Sequence, residues 1–173
     1  NLLVINKNNE LISGSYDRTI KIWDMTTGEC KHTLTGHNRD IHSLIVNNQN
    51  ELISGSYDNT IKIWNTLTGE CKITFTNFTN SSNLDNPTNP QLSALIINRQ
   101  NNELICGFTN GIIKLLNMIT REVKRTLNGH EGDINSLSIN NEDELISGSN
   151  DRTIKIWNMF TGDCIKTLSN LGS

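Results

Sequence analysis

Short apolar runs alternate with polar, turn-forming stretches along the whole chain. The first cycle contains apolar or alternating runs at Leu2–Ile5, Glu10–Ser15, Ile20–Trp23 and Cys30–Leu34, with a tight turn at Asp17–Thr19. Alternation over four to six residues, rich in β-branched side chains, indicates strands, and no stretch has the apolar spacing of a helix. The pattern therefore predicts an all-β protein made of short strands.

One stretch of twelve residues recurs in register. SGSYDRTIKIWD, which begins at Ser13, returns as SGSYDNTIKIWN at Ser54 and as SGSNDRTIKIWN at Ser147. A more divergent copy, CGFTNGIIKLLN, begins at Cys106, so the successive steps are 41, 52 and 41 residues. Four short strands in a period of about 41 residues match the four-stranded blade of a β-propeller.

A Gly-His pair precedes two of the copies, at Gly36-His37 and Gly129-His130. Gly-His followed at fixed offsets by Ser, Asp and Trp resembles the WD40 repeat family, and the resemblance covers essentially the whole chain. It implies a β-propeller of four WD40 blades with four antiparallel strands each. The blades are expected at residues 1–35, 36–75, 76–127 and 128–173.

Four blades would leave apolar strand residues open at both ends of the series, and exposed apolar patches mark interfaces. The family typically closes rings of about seven or eight blades. Because the chain begins in mid-repeat and without Met, we expect a piece of a larger ring. The alternative is that two copies pair into an eight-bladed ring, and a closed four-bladed ring ranks third.

The recurring Ser, His, Asp and Trp predict a hydrogen-bonded tetrad in each blade. A buried indole N–H and a buried imidazole each cost about 1–3 kcal/mol when unpartnered, a hydroxyl can bridge them, and a carboxylate can orient the imidazole. The expected sets are Trp64, Ser54, His37 and Asp58; Trp157, Ser147, His130 and Asp151; and Trp23, Ser13 and Asp17, whose His would precede Asn1.

These Ser, His and Asp residues also raise the possibility of a catalytic triad. Nucleophilic catalysis needs one exposed serine beside oxyanion donors. Here the trio recurs from blade to blade beside a Trp that would cover it. We therefore expect a structural role and no catalytic residue.

The third repeat departs from the pattern. Cys106, Asn110 and Leu116 replace Ser, Asp and Trp, and no Gly-His precedes them. Its approach is lengthened by residues 76–91, which hold both prolines of the chain. A polar stretch of this kind is expected to be a solvated loop, with a partner-specific arm as the alternative.

Charge and cysteine spacing exclude several classes of protein. A net charge of −3 argues against a nucleic-acid or anionic-membrane surface, and no apolar run approaches the roughly 18–20 residues of a membrane span. Cys30, Cys71 and Cys164 share one repeat position without any CxxC pair, which favours half-buried strand residues over disulfides or a metal site. We expect no metal, cofactor or small-molecule substrate, and a cytoplasmic or nuclear location.

The family resemblance implies a rigid scaffold for protein or peptide partners. Candidate contact positions precede the turn Asp of each blade or lie at the entry to its first strand: Tyr16, Tyr57, Thr109, Asn150, Asp40, His42, Gln91, Ser93, Asp133 and Asn135. Tyrosines are common at interface hot spots. The preferred function is a scaffold, or a substrate-recognition module of an F-box type ubiquitin ligase. The alternative is a sensor or regulatory propeller of a larger NTPase or kinase-type signalling protein.

Overall fold

The computed structural model describes residues 2–76 and 90–169. Within them the chain forms sixteen strands and no helix, so the all-β prediction is confirmed. Each run of four consecutive strands forms one antiparallel sheet. Sheet 1 contains β1 (Leu2–Ile5), β2 (Glu10–Gly14), β3 (Ile20–Asp24) and β4 (Cys30–Leu34). Sheet 2 contains β5 (Ile41–Val46), β6 (Leu52–Ser56), β7 (Ile61–Trp64) and β8 (Cys71–Phe75).

The other two sheets follow the same order. Sheet 3 contains β9 (Leu92–Asn98), β10 (Glu103–Phe108), β11 (Ile113–Asn117) and β12 (Val123–Leu127). Sheet 4 contains β13 (Ile134–Ile139), β14 (Glu144–Ser149), β15 (Ile154–Asn158) and β16 (Cys164–Leu168). The predicted insertion at 76–91 falls mostly outside the described residues.

An asparagine side chain accepts backbone hydrogen bonds in the turn between the first two strands of each sheet. In sheet 1 the Asn6 side-chain oxygen accepts hydrogen bonds from the backbone N–H groups of Asn8 and Glu10, both at 3.0 Å. Asn9 then adopts a positive φ of 59°. Asn tolerates this left-handed conformation better than most residues, which explains why the turns are rich in Asn.

The chain divides into two compact units, 1–89 and 90–173. In the first unit, sheets 1 and 2 share one apolar core. Sheet 1 contributes Ile12, Ile20, Ile22 and Leu34; sheet 2 contributes Ile41, Val46, Leu52 and Trp64. Gly14 permits the close approach, since a Cβ there would lie 3.1 Å from Leu44 Cδ1.

The second unit repeats this arrangement with sheets 3 and 4. The core residues of sheet 3 include Ile105, Ile113, Leu115 and Leu127, and those of sheet 4 include Ile134, Leu145 and Trp157. Gly107 takes the place of Gly14, and a Cβ there would lie 2.5 Å from Ile134 Cγ2. In each unit one face of the earlier sheet therefore covers the Trp-bearing face of the later sheet.

Candidate functional site

Four side chains of sheet 2 form a continuous hydrogen-bonded chain. The Trp64 indole N–H donates to Ser54 Oγ at 2.8 Å, and Ser54 Oγ lies 2.7 Å from His37 Nε2. His37 Nδ1 lies 3.1 Å from Asp58 Oδ2. Because Asp58 accepts the Nδ1 proton, His37 Nε2 is left to accept the Ser54 hydroxyl. Every polar atom along the path from the indole to the carboxylate is thereby satisfied.

Sheet 4 builds the same chain from equivalent elements. Trp157 on β15 donates to Ser147 Oγ on β14 at 2.8 Å, and Ser147 lies 2.7 Å from His130 Nε2. His130, in the segment before β13, places Nδ1 2.7 Å from Asp151 Oδ2. Ser147 has no exposed surface, and Trp157 keeps only 1%.

The turn aspartates are held ionised. Burial alone raises the pKa of Asp58, but hydrogen bonds from His37, the Asn38 N–H and Thr60 outweigh it, so the pKa lies well below its usual range. The pKa of Asp151 is lowered in the same way, since hydrogen bonds outweigh its desolvation. A carboxylate that accepts several hydrogen bonds keeps its charge, and it fixes the orientation of the imidazole.

Sequence reasoning overlooked a threonine in this network. Thr60 Oγ1 donates to Asp58 Oδ1 at 2.7 Å and lies 3.1 Å from His37 Nδ1. Thr153 makes the same 2.7 Å bond to Asp151. The spacing Asp-x-Thr recurs in three repeats, and that recurrence was the available signal.

Sheet 1 has only part of the network. The Trp23 indole donates to Ser13 Oγ at 2.8 Å, but Trp23 stays half-buried. Asp17 is exposed and accepts hydrogen bonds from the N–H and hydroxyl of Thr19. The Lys21 ammonium lies 5.5 Å from the centre of the Trp23 ring. Trp23 therefore lacks the enclosure that Trp64 and Trp157 have.

Sheet 3 replaces the network with apolar packing. Cys106 and Leu116 have no exposed surface, and burial raises the pKa of the Cys106 thiol. Asn110 lies in the exposed turn after β10, where its side chain accepts from the Ile112 N–H at 3.3 Å. The third blade thus buries a thiol and a leucine where the others bury a hydroxyl and an indole.

The candidate contact residues of sheet 2 come together at the entry to β5. The Tyr57 N–H donates to the Asp40 carbonyl at 3.0 Å. The rings of His42 and Tyr57 lie 5.0 Å apart at an angle of 36°. His42 Nε2 is buried, and no group in the described part of the chain hydrogen-bonds to it. Burial lowers the pKa of His42 to about 4. His42 therefore supports the Tyr57 ring as a neutral imidazole.

Tyr16 lies at the corresponding turn of sheet 1. It is 69% exposed, and the carbonyl of the preceding Ser15 accepts from the Ile41 N–H at 3.4 Å. Since Ile41 directly follows Asp40, the two tyrosine-bearing turns lie at the same end of the first unit.

The second unit pairs its candidate residues in the same manner but with polar side chains. The Thr109 N–H donates to the Gln91 carbonyl, and the Asn150 N–H donates to the Asp133 carbonyl, both at 2.9 Å. The Asn135 side chain donates to the Asn150 side chain. The Ser93 hydroxyl donates to the Ile134 carbonyl at 2.7 Å, so it is already committed to a backbone group of the neighbouring sheet.

A recurring ion pair at the opposite end of the sheets was not predicted. Lys31 on β4 donates to Glu10 on β2 at 2.5 Å. Lys72 with Glu51, and Lys124 with Glu103, form the same pair. Each Lys follows its Glu by 21 residues, and this constant spacing was visible in the sequence. In sheet 4 the lysine position is taken by Ile165, which is 52% exposed.

The cysteine prediction needs correction. Cys30, Cys71 and Cys164 are free and exposed rather than half-buried. They lie on the fourth strand of each sheet, which has only one neighbouring strand. No group of side chains suited to a metal ion, and no helix long and apolar enough to cross a membrane, occurs in residues 2–76 and 90–169.

Comparison with known proteins places these features in a family. The model of the WD domain, G-beta repeat, matches residues 3–24, 28–65 and 121–158, more than half of the chain. The crystal structure of the WD40 beta propeller domain of Doa1 superposes with a TM-score of 0.78 at 27% sequence identity. That match covers 96% of this chain and 52% of the solved chain.

Curated relatives match over single repeats. Dynein assembly factor with WD repeat domains 1 from Danio rerio is 54% identical over 33 residues, 19% of this chain and 8% of that protein. WD repeat-containing protein pop2 from Schizosaccharomyces pombe is 53% identical over 34 residues, covering 20% and 5%. Myosin heavy chain kinase C from Dictyostelium discoideum is 47% identical over 38 residues, covering 22% and 5%. The matched segments thus span less than a tenth of each relative.

Proposed function

Because this chain belongs to the WD40 repeat family, whose propellers generally bind proteins or peptides, we propose that it is a non-catalytic platform for such a partner. In each unit, the surface proposed for such a contact is the rim formed by the entry to the first strand of a sheet and the turn between its second and third strands. The observation that carries this proposal is the cluster of Asp40, His42 and Tyr57.

The tyrosines provide the contact area of this rim. Tyr16 presents 69% of its surface to solvent, and Tyr57 is half-buried against the His42 ring. An aromatic ring that is already held in place loses little conformational entropy on binding, and Tyr is enriched among hot-spot residues. The first unit therefore supplies the anchoring side chains.

The second unit supplies polar recognition. Thr109, Asp133, Asn135 and Asn150 occupy the equivalent positions there. Backbone bonds from Thr109 to Gln91 and from Asn150 to Asp133 hold the two turns, and the Asn135 side chain bonds to that of Asn150. Polar groups held in this way can hydrogen-bond a peptide backbone or polar side chain. The aromatic positions of the first unit and the polar positions of the second unit are each of a kind that protein and peptide interfaces use.

The serine environment supports a non-catalytic role. Ser54 and Ser147 have no exposed surface. Each hydroxyl is already committed to an indole N–H and an imidazole nitrogen. A nucleophile needs access to its substrate and an oxyanion site, and neither hydroxyl has such access.

A peptide-display selection against the folded chain, followed by affinity measurements on the selected peptide, tests the proposal. Truncating a hot-spot Tyr costs about 2 kcal/mol or more, so Tyr57→Ala should weaken binding roughly 30-fold. Tyr16→Ala should also weaken binding. Leu67→Ala is the matched control, because Leu67 is 70% exposed in the turn after β7, away from the rim. Unchanged affinity in both tyrosine variants would exclude this surface.

The finer assignment, substrate recognition in an F-box type ubiquitin ligase, rests on the Ser-Gly-Ser-Tyr-Asp and Thr-Gly-Glu-Cys sequences. If this assignment is right, ubiquitin should be transferred to a substrate bound at the rim, and Tyr57→Ala should abolish that transfer. The similarity to myosin heavy chain kinase C favours the regulatory alternative. Phosphorylation of a rim-bound protein by the parent chain, without ubiquitin transfer, would favour this second function.

A further inference from the structure

Sheets 3 and 4 form a cavity at the end of the second unit that lies away from the rim. Its volume is about 360 Å³, within the range of about 300–1,000 Å³ that ligand sites occupy. Residues of three turns line it: the turns at 99–102 before β10, at 140–143 before β14 and at 159–163 before β16. All of these turns belong to the unit 90–173. The cavity is therefore a feature of sheets 3 and 4 alone.

One wall of the cavity is apolar and is held in place. It carries Met159, which is 8% exposed, and Phe160, which is 87% exposed. The Phe160 N–H donates to the Asn158 side chain at 2.8 Å, and Arg125 of β12 donates to the Thr161 carbonyl at 2.7 Å. An exposed aromatic ring on a fixed turn offers contact area at a small cost in conformational entropy.

A second wall of the cavity is acidic. Its carboxylates are those of Glu103, Glu142, Asp143 and Glu144. The one cation among the lining residues is Lys124, which is already paired with Glu103. Asp143 Oδ1 accepts from the Asn98 side chain at 3.1 Å, and this bond ties the acidic turn to sheet 3. Since no carboxylate group among the described residues is arranged to hold a metal ion, this wall suits an organic cation.

The acidic wall is particular to the second unit. In sheet 2 the equivalent residues 47–51 read NNQNE, whereas residues 140–144 read NNEDE. Gln49 and Asn50 thus stand where sheet 4 has Glu142 and Asp143. The turn needs no carboxylate at either position, because Asn50 and Asp143 have nearly the same φ, 62° and 60°. The two negative charges are therefore an addition to the repeat rather than a requirement of its fold.

Other sheets of this chain show which cation fits beside these glutamates. In sheets 1 to 3 the glutamate before or at the start of the second strand pairs with a lysine of the fourth strand, as Glu103 does with Lys124. The Lys124 side chain stays 54% exposed although sheet 4 covers sheet 3, so this position remains accessible. In sheet 4 Ile165 takes the lysine position. Within residues 2–76 and 90–169, no cation is paired with Glu144.

We propose that this cavity binds a lysine side chain of a protein partner, next to an apolar residue of the same partner. The ammonium pairs with the carboxylates of Glu142, Asp143 and Glu144, as the lysines of the other sheets pair with theirs. The methylene stem and the apolar neighbour pack on Phe160. The choice of a basic partner follows from charge complementarity, because four carboxylates and one ammonium line the cavity. The proposal does not rest on the tyrosine-bearing rim.

An NMR titration of the ¹⁵N-labelled chain with the acetylated and amidated tripeptide Leu-Lys-Leu tests the proposal. Saturable shifts are expected for amides of the turns at 140–143 and 159–163. The analogue Leu-norleucine-Leu, which keeps the stem and lacks the charge, should bind at least about ten-fold more weakly. Equal binding of the two peptides, saturable shifts only elsewhere in the chain, or no saturable shifts would overturn the proposal.

Substitutions that copy sheet 2 test the acidic wall with little risk to the fold. Glu142→Gln with Asp143→Asn rebuilds the sequence NNQNE and should weaken binding of the lysine peptide about ten-fold. Glu29→Gln with Glu70→Gln is the matched control, because it removes two exposed carboxylates from the first unit. Circular dichroism checks that each variant folds. An unchanged affinity in the first double variant, or an equal loss in the control, would contradict the assignment.

The empty lysine position offers an independent test. Ile165→Lys should place an ammonium of the chain itself beside Glu144 and thereby weaken binding of the lysine peptide several-fold. Ile165→Gln is its control, since it removes the same apolar side chain without adding a charge. A loss of affinity that is the same in both variants would show that the cation at Glu144 is not what the peptide supplies.

Discussion

Replacing Ser147 by alanine should destabilise the protein far more than the same change at Ser13. Ser147 Oγ accepts from the Trp157 indole and contacts His130 Nε2, both within 2.8 Å. Among the described residues, Ser13 Oγ is bonded only to the Trp23 indole, and Trp23 is half-buried. The two substitutions are chemically identical, so their difference isolates the buried network.

The magnitude follows from the groups left behind. Ser147→Ala orphans an indole N–H and an imidazole nitrogen on side chains that are 1% and 6% exposed. Each buried orphan costs about 1–3 kcal/mol, so the free energy of unfolding should fall by about 2–6 kcal/mol. Ser13→Ala orphans one donor on a half-exposed ring that water can reach, and the expected loss is about 1 kcal/mol or less.

Urea unfolding followed by circular dichroism measures both losses. Ser54→Ala should match Ser147→Ala, because Ser54 makes the same two bonds. Equal losses at Ser13 and Ser147, or a loss below about 1 kcal/mol at Ser147, would refute the reasoning.

Two further predictions concern charge. Ile165→Lys should place an ammonium beside Glu144 and stabilise the fold by up to about 1 kcal/mol, the usual ceiling for exposed pairs. Urea unfolding measures this gain in stability, and the same gain in a chain that also carries Glu144→Gln would contradict the prediction. The folded-state pKa of His42 is about 4, below the ordinary value of 6.5. The unfolded chain therefore binds an extra proton between those values, and stability should fall by about 3 kcal/mol as the pH drops through this window. His42→Asn, which copies Asn135, should remove that component; an unchanged pH dependence would contradict it.

The fold could be predicted because the same pattern of four short strands recurs in every repeat. Single short strands are ambiguous, but a twelve-residue stretch that returns in register fixes strand type and order together. Expected and observed limits differ by about one residue, as at Glu51 against Leu52 for the start of β6. A regular repeat also shows where one copy differs from the others, which is how the sequence identifies Cys106 and Leu116 as replacements for Ser and Trp.

Side-chain contacts that depend on how the strands lie within a sheet were harder to predict from the sequence. A lysine on the fourth strand reaches the glutamate on the second strand, as Lys31 does with Glu10. Reading each strand for alternation alone misses a contact that crosses an intervening strand. Cys30 was placed correctly on a strand, but the pattern does not show that this outermost strand leaves the thiol exposed.

Burial is the property that the repeat sequence cannot determine by itself. Trp23 and Trp64 sit in the same local sequence, IKIW, and each donates to the serine ten residues before it. Trp64 is nevertheless 2% exposed while Trp23 is half-buried, because sheet 1 covers sheet 2. Whether a neighbouring sheet covers the Trp-bearing face, and not the repeat sequence itself, decides whether that face is buried or exposed. The same sequence can therefore form part of the core in one blade and a partly exposed surface in another.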